Sequence, residues 1–288
     1  MIKKIPLALL IIAADYCQAD AQAKKFTKLK SGLEYNIVKD APGNQKAVIG
    51  SMVTMHIKTV VNGTALFDSY TMNNNEPVPA QIAKPQYNGD VMEGLTLLTP
   101  GDSAIFRTSA DSLFRGGQMP PNVKGGDSVY FYVKMISVKS KAEFDKDQLE
   151  KAAKQGGVDD KLLQDYMKTK NIKAEKTASG IYYVIDRKGN GKHATAADRV
   201  KVHYKGYKTN GETFDSSYDR GQPIEFPLSG VIRGWTEGIP LFEEGGKGTL
   251  LIPSGMAYGP NAPGGSKIGP NEVLLFDVEL LEINPEKK

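Results

Sequence analysis

Hydrophobic and polar residues alternate along two stretches of the C-terminal half, as they do in half-buried strands. Val200, Val202 and Tyr204 alternate with polar neighbours, and a similar alternation runs over residues 274–281. Between these stretches, four apolar residues recur at helical spacing: Ile232, Trp235, Ile239 and Phe242. The patterns predict antiparallel strands and one short amphipathic helix, which Pro240 should kink or end. A curved antiparallel sheet wrapped on one helix is an α+β domain.

This arrangement is encoded twice in the chain. Three segments of the N-terminal half return at an offset of 147 or 148 residues: Ser31–Tyr35 as Ser179–Tyr183, Val53–Ile57 as Val200–Tyr204, and Phe67–Ser69 as Phe214–Ser216. The period is far longer than the roughly 20–45 residues of solenoid repeats, so each copy must bury its own core. The sequence therefore predicts two α+β domains, at residues 24–139 and 177–288, joined by a helical linker at residues 140–176.

The predicted linker contains two helical patterns separated by Gly156 and Gly157. They predict two short helices, the second capped by Asp159 or Asp160. Four apolar residues share one face of the second helix: Leu162, Leu163, Tyr166 and Met167. Such a stripe fits either a spacer packed on a neighbouring domain or a dimerisation or client-holding arm formed by residues 141–171.

The N-terminus has the pattern of a signal peptide. Lys3 and Lys4 precede an apolar run, and small residues end at Ala23, the expected cleavage site, with Ala21 as the next candidate. The run is about ten residues long, half of the roughly 20 that a transmembrane helix needs. We therefore expect residues 1–23 to be a removed leader and the protein to be exported.

Composition narrows the function classes. The 288 residues are 40% hydrophobic and 24% charged, which argues against disorder or a fibre. The net charge is only +4, with scattered lysines, which argues against nucleic acid as the main partner. Cys17 is the one cysteine, and a lipid attached to it is an alternative to cleavage after Ala23. Tyr16 is unfavourable for this, because a small residue is expected directly before a lipidated cysteine. Cleavage after Ala23 would exclude a disulfide, a thiol nucleophile and a cysteine metal site.

Five motifs of the second copy follow one another in order. They are Val202–Gly206, Gly211–Ser217, Val231–Gly238, Ala257–Gly259 and Leu275–Leu280. In order and spacing, this set resembles the FKBP family of peptidyl-prolyl cis/trans isomerases over roughly the last 110 residues. The resemblance implies a shallow apolar pocket that receives the proline ring of a peptide.

The resemblance also implies roles for the pocket residues. Trp235 would form the floor, and Tyr258 would donate its hydroxyl to a substrate carbonyl. Asp215 would lie beside the twisting amide, oriented by Tyr204. The implied substrate-binding residues are Phe214, Arg220, Ile224, Phe226, Val231, Ile232, Ile268 and Phe276. Rotation about an X–Pro bond has to overcome only amide resonance, so no nucleophile, metal or cofactor is required.

Other interpretations of these residues are weaker. Taken singly, an aromatic residue at strand or helix spacing is more often simply core. His203, Asp215 and Ser216 could suggest a hydrolase triad, but adjacent strand residues point to opposite faces, and His203 should face away from Tyr204. Gly245–Thr249 lacks the order of a phosphate-binding loop and is predicted to be a turn.

The first copy departs from the family pattern. Three pocket positions are replaced: Ile57 stands at Tyr204, Val91 at Trp235 and Phe114 at Tyr258. Phe67 and Asp68 are expected to persist, with Asp68 serving as a turn residue. We therefore expect little or no isomerase activity from residues 24–139, and a peptide-binding, dimerisation or scaffold role stays open.

The sequence thus predicts an isomerase that assists the folding of exported proteins in a bacterial periplasm or cell envelope. The expected partners are proline-containing peptides and unfolded exported proteins, with macrolide inhibitors of the family as a further ligand class. An oligomer formed through residues 141–171 stays open. The alternatives are a non-catalytic peptide-binding chaperone or interaction protein, and a structural envelope component, which acylation of Cys17 would favour. The complete set of Tyr204, Asp215, Trp235 and Tyr258 favours the enzyme.

Overall fold

The computed structural model describes residues 25–285 apart from residues 44 and 74. The chain divides into two compact units between Lys146 and Asp147, inside a helix. The expected leader and Cys17 lie outside the described residues, and the domain boundaries given above stay a prediction. No helix between residues 25 and 285 combines the length and the apolarity that a bilayer crossing needs.

The first unit is built on a seven-stranded antiparallel sheet. Its strands are β1 (Thr27–Lys28), β2 (Glu34–Lys39), β3 (Met52–Val61), β4 (Thr64–Asp68), β5 (Val78–Gln81), β6 (Ser103–Ser109) and β7 (Ser128–Lys139). They lie in the order β1-β2-β6-β7-β3-β4, and β5 also pairs with β3. Helices α1 (Val91–Leu95) and α2 (Ala110–Leu113) connect strands of this sheet, and the carboxylate of Asp90 caps α1 by accepting the N–H of Met92.

The second unit repeats this plan. Its strands are β8 (Glu175–Lys176), β9 (Tyr182–Arg187), β10 (Arg199–Tyr207), β11 (Thr213–Ser216), β12 (Ile224–Pro227), β13 (Lys247–Ile252) and β14 (Leu274–Ile283). They lie in the order β8-β9-β13-β14-β10-β11, and β12 also pairs with β10. Helix α3 (Lys141–Lys170) leads into the unit, and α4 (Arg233–Gly238) crosses its sheet and ends in a 3₁₀ turn at Ile239–Leu241 that contains Pro240.

The two sheets have the same topology, strand for strand. The predicted α+β class, with two domains of one plan and a helical linker, is therefore confirmed. The alternation in β10 shows why the class could be predicted. Val200, Val202 and Tyr204 are buried, whereas Lys205 is exposed. In an antiparallel sheet, the face with the buried side chains packs on the core and the other face commonly meets solvent.

The structure corrects the alignment of the two copies by one residue after β3. The cross-strand pairs are Lys58 with Asp68 and Thr59 with Phe67 in the first unit, and Lys205 with Ser216 and Gly206 with Asp215 in the second. Phe67, not Asp68, therefore stands where the second copy has Asp215, so the expectation that the Phe-Asp pair persists was wrong. The connection from β3 to β4 is a tight turn at Asn62 and Gly63, both with positive φ, and that from β10 to β11 is longer.

Helix α3 runs unbroken from Lys141 to Lys170, so the prediction of two short helices was wrong. Gly156 and Gly157 lie inside it, at a cost of about 1 kcal/mol each relative to alanine. The helix tolerates them because its C-terminal half is held by packing. Asp159, expected to cap a second helix, instead lies buried within α3.

The C-terminal half of α3 packs on one face of the second unit's sheet. Leu163 and Met167 are buried against Leu251 and Leu275. Their neighbours along the strands, among them Leu250 and Phe276, belong to the core on the opposite face. This packing supports the spacer interpretation of the apolar stripe, although Leu162 of the same stripe remains 43% exposed.

The pair Leu163 and Leu162 tests the docking of α3. Leu163→Ala should lower the free energy of unfolding of the second unit by about 2–5 kcal/mol, because a fully buried side chain is lost. Leu162→Ala should change it by no more than about 0.5 kcal/mol. Urea unfolding followed by the fluorescence of Trp235, the one tryptophan of the chain, measures both. Equal effects of the two substitutions would contradict the docking.

Candidate active site

Helix α4 lies directly against β13 because its two sheet-facing positions are glycines. A Cβ atom at Gly234 would lie 2.4 Å from Cγ2 of Ile252, and one at Gly238 would lie 2.7 Å from Cδ1 of Leu250. The close contact fixes the helix on the sheet and buries Trp235, which is 6% exposed. Within the described residues, the indole Nε1 of Trp235 has no hydrogen-bond partner.

Trp235 is the centre of an aromatic cluster. Its ring centroid lies 5.0 Å from that of Tyr204 and 5.1 Å from that of Phe276, both edge-on, and 5.1 Å from that of Phe226. Phe214 joins the cluster edge-on against Phe276, at 5.5 Å. Edge-to-face contacts suit the charge distribution of aromatic rings. The structure thus brings five of the six aromatic residues expected from the sequence into one cluster.

The other apolar residues expected in the pocket pack against the same core. Ile224, Val231 and Ile232 are partly buried, and Ile268 is buried. Gly206 leaves the room that Phe214 occupies, because a Cβ atom there would lie 2.6 Å from Cζ of Phe214. The residues expected to form the floor and walls therefore come from β10, β11, β12, α4 and β14, together with the residues just before α4 and the loop that holds Ile268.

Tyr204, Asp215 and Arg220 form one hydrogen-bonded group beside the aromatic cluster. The hydroxyl of Tyr204 donates to Oδ2 of Asp215, and Nη1 of Arg220 donates to Oδ1. Nη2 of Arg220 donates to the Tyr204 hydroxyl at 2.8 Å, and the N–H of Ser216 donates to Oδ1 of Asp215 at 2.8 Å. Every oxygen of the Asp215 carboxylate therefore has a donor, which holds the side chain in one orientation.

The charges of this group follow from its contacts. Burial of Asp215 opposes its ionisation, but the hydrogen bonds from Tyr204 and Arg220 and the guanidinium charge outweigh that effect, so the pKa of Asp215 lies below its usual value. Burial, reinforced by the hydrogen bond to Asp215, raises the pKa of Tyr204 to about 12. At neutral pH, Asp215 is a carboxylate and Tyr204 a neutral donor.

Tyr258 stands apart from this group. It follows the 3₁₀ turn Ser254–Met256, and its side chain is 39% exposed. Across residues 25–285, no hydrogen bond joins its hydroxyl to Tyr204, Asp215 or Arg220. Among the four residues expected to be catalytic, Tyr258 is thus the one that belongs neither to the aromatic cluster nor to the polar group.

Sequence reasoning missed Ser217, which holds the backbone of Tyr204. Its Oγ accepts the N–H of Tyr204 at 2.7 Å and lies 2.9 Å from Nδ1 of His203, whose ring stacks on Tyr218 at 4.5 Å. The first copy has the same arrangement in Ser69, Ile57, His56 and Tyr70. The pair Ser69–Tyr70 recurs as Ser217–Tyr218 in the second copy, and this recurrence is the sequence signal by which Ser217 could have been recognised. His203 is therefore part of the shared frame: its ring nitrogen meets Ser217, whereas Asp215 of the imagined triad is bonded to Tyr204 and Arg220.

The first unit has this frame without the polar group. A Cβ atom at Gly94 would lie 2.4 Å from Phe106, the counterpart of Leu250 in the second sheet, so Gly94 corresponds to Gly238. This places Val91 at the position of Trp235. Asp68 is buried, accepts the N–H of Tyr70 at 3.0 Å and lies 3.4 Å from the ammonium of Lys58, which are the contacts of a turn residue.

The pKa of Asp215 tests the polar group. Arg220→Gln should raise it, because the guanidinium charge and hydrogen bonds are lost, whereas Arg233→Gln, at an exposed arginine of α4, should leave it unchanged. Since the folded pKa lies below that of the unfolded chain, the stabilisation by Asp215 is present above about pH 4 and is lost as the pH falls through the folded pKa. Carboxyl carbon NMR shifts recorded against pH measure the change. An unchanged pKa in Arg220→Gln would contradict the assignment.

Part of the chain is similar in sequence to known proteins. A family model described as FKBP-type peptidyl-prolyl cis-trans isomerase matches residues 190–281. A probable FKBP-type peptidyl-prolyl cis-trans isomerase of Haemophilus influenzae is 45% identical over 150 residues, covering 52% of this chain and 58% of that protein. The FKBP-type peptidyl-prolyl cis-trans isomerase FkpA of Escherichia coli is 39% identical over 154 residues, covering 53% of this chain and 54% of that protein.

A crystal structure of FkpA from Escherichia coli is also similar, at 36% identity, with a TM-score of 0.41, covering 50% of this chain and 68% of that one. The chain spans about half the length of the curated relatives it matches. The segment matched by the family model contains α4 and strands β10 to β14, except for the last two residues of β14. It also contains each residue of the aromatic cluster and of the polar group. Through this segment, the chain belongs to the FKBP-type peptidyl-prolyl cis-trans isomerase family.

Proposed function

We propose that this protein is a peptidyl-prolyl cis/trans isomerase whose active site is the aromatic cluster around Trp235 with the polar group of Tyr204, Asp215 and Arg220. The observation that carries the proposal is the placement of an oriented carboxylate at the edge of an apolar aromatic surface, in the segment that matches the isomerase family. An apolar surface alone would suit any hydrophobic ligand. The fixed carboxylate adds a polar feature to one side of it.

The reaction needs little more than this environment. Rotation about an X–Pro bond meets a barrier of about 18–20 kcal/mol because amide resonance is lost, while the two isomers differ by only about 0.5–1 kcal/mol. A desolvated pocket disfavours the charge-separated planar amide relative to the twisted one. Each tenfold gain in rate requires about 1.4 kcal/mol, so desolvation and one or two hydrogen bonds specific to the twisted amide suffice.

Each residue has a distinct part in this proposal. Trp235 supplies the floor on which the proline ring rests, and the carboxylate of Asp215 faces the twisting amide. Tyr258, exposed at the rim, donates its hydroxyl to a substrate carbonyl, and the backbone N–H of Ile232 receives a second carbonyl. The exposure of Tyr258 suits this part, because a hydroxyl already paired within the protein would not be available to a peptide.

The first unit is proposed to contribute no isomerase activity. Phe67 and Ile57 occupy the positions of Asp215 and Tyr204, and a phenylalanine and an isoleucine can neither carry the charge nor donate a hydrogen bond. Phe114 likewise has no hydroxyl to offer. The unit retains a sheet and a core of its own and is available for peptide binding, dimerisation or a scaffold role.

We propose that the natural substrates are prolyl bonds of unfolded proteins exported to the periplasm or cell envelope. The sequence pattern of residues 1–23 supports export. Prolyl isomerisation takes about 10–100 s at 25 °C without a catalyst, which is slow enough to limit folding. An exported isomerase would accelerate that step without a cofactor.

Activity on short X–Pro peptides tests the proposal in the full chain. Asp215→Ala should lower kcat/KM at least about tenfold, equivalent to about 1.4 kcal/mol of transition-state stabilisation. The matched substitution Phe67→Ala, at the equivalent position of the first unit, should leave kcat/KM within about twofold of wild type. Circular dichroism and the emission of Trp235 confirm that each variant is folded.

Two results would count against the assignment. If Phe67→Ala lowered activity as much as Asp215→Ala, the site would not belong to the second unit. If the folded wild-type protein accelerated no X–Pro peptide above background, the non-catalytic chaperone or interaction protein would replace the enzyme.

A further inference from the structure

Helix α3 is joined to the second unit by a buried hydrogen-bonded contact as well as by apolar packing. Asp159 is 1% exposed, and its Oδ2 accepts the backbone N–H of Ser254 at 2.8 Å and the hydroxyl of Ser254 at 2.6 Å. Its Oδ1 accepts Nε2 of Gln155 at 2.7 Å. Ser254 is itself fully buried. A buried carboxylate is retained only where donors replace the water it has lost, and here both oxygens have them.

Ser254 in turn holds the backbone on both sides of Tyr258. Its carbonyl oxygen accepts the N–H of Ala257 at 2.9 Å and the N–H of Gly259 at 2.8 Å. The two donors are the residues directly before and after Tyr258. The path from Asp159 to this tyrosine therefore consists of two consecutive sets of hydrogen bonds, all within the second unit.

We infer that Asp159 is a positioning residue for the isomerase site: by fixing Ser254, the linker helix sets where the hydroxyl of Tyr258 stands at the rim of the pocket. The inference rests on the proposed function. Tyr258 needs such support because its side chain is exposed and lies outside the Tyr204–Asp215–Arg220 group. A hydrogen-bond donor presented from a turn depends on the backbone for its placement.

The first unit offers an internal comparison. At the offset that equates Gly94 with Gly238, Ala110 stands at the position of Ser254 and Phe114 at that of Tyr258. The copy without the tyrosine hydroxyl thus also has no serine hydroxyl to receive a carboxylate.

Asp159→Ala in the full chain tests the inference, with Asp165→Ala as the matched control on the same helix. Asp165 is exposed, and its carboxylate lies 3.5 Å from the ammonium of Lys161 in the same helix. Asp159→Ala should lower kcat/KM for an X–Pro peptide about five- to tenfold at a temperature where the protein is fully folded, and Asp165→Ala should not. Ser254→Ala, which keeps the backbone donor, should give a smaller loss in the same direction.

The decisive readout is the dependence on Tyr258. In a Tyr258→Phe background, Asp159→Ala should cause no further loss, because the hydroxyl that it positions is already gone. A loss of equal size in both backgrounds would overturn the inference, since a general weakening of the fold does not depend on that hydroxyl.

Hydrogen exchange separates this inference from the proposed function. The amides of residues 254–259 should exchange about tenfold faster in Asp159→Ala than in wild type, with no change in Asp165→Ala. Unchanged exchange in Asp159→Ala would overturn the inference whatever the activity. Faster exchange in Asp159→Ala, combined with a wild-type protein that proves inactive, would leave the contact in place and the proposed function wrong.

Discussion

The close contact of α4 with β13 is the constraint on which the site depends. Gly234 and Gly238 present no side chains to the sheet, so the helix approaches to a distance at which a single added carbon would collide with Ile252 or Leu250. That approach brings the indole of Trp235 within 5.1 Å of the rings of Tyr204, Phe226 and Phe276, counted between centroids. Any residue larger than glycine at these two positions would force α4 away from β13 and Trp235 away from the three rings.

The two copies separate framework from chemistry. Both have the same strand order, and both hold the inner strand by a serine hydroxyl beside a histidine stacked on a tyrosine. Only the second copy adds the tyrosine, aspartate and arginine that form the polar group. Duplication therefore preserved the contacts that the sheet needs, while the contacts that a substrate would need are present in one copy.

Strand periodicity was sufficient to predict the fold class, because a sheet with one buried face alternates visibly along the chain. The residues of the aromatic cluster and polar group were also predictable: five motifs in order carry the family resemblance, and the resemblance then adds Arg220 and Phe226, which lie between two of the motifs. The one-residue shift at Asp68 was missed, because Phe-Asp-Ser occurs in both copies at an offset of 147 and concealed the different lengths of the hairpin connections. The continuity of α3 through Gly156 and the burial of Asp159 depend on tertiary packing, which local propensity does not register.

The most direct test of the account is the fluorescence of Trp235 during titration with a short peptide that contains an X–Pro bond. The chain has one tryptophan, so its emission reports on the pocket floor alone. The account predicts a saturable change in emission with the proline peptide and none with the same peptide carrying alanine in place of proline. An equal change with both peptides, or no change with either, would contradict a proline pocket at Trp235.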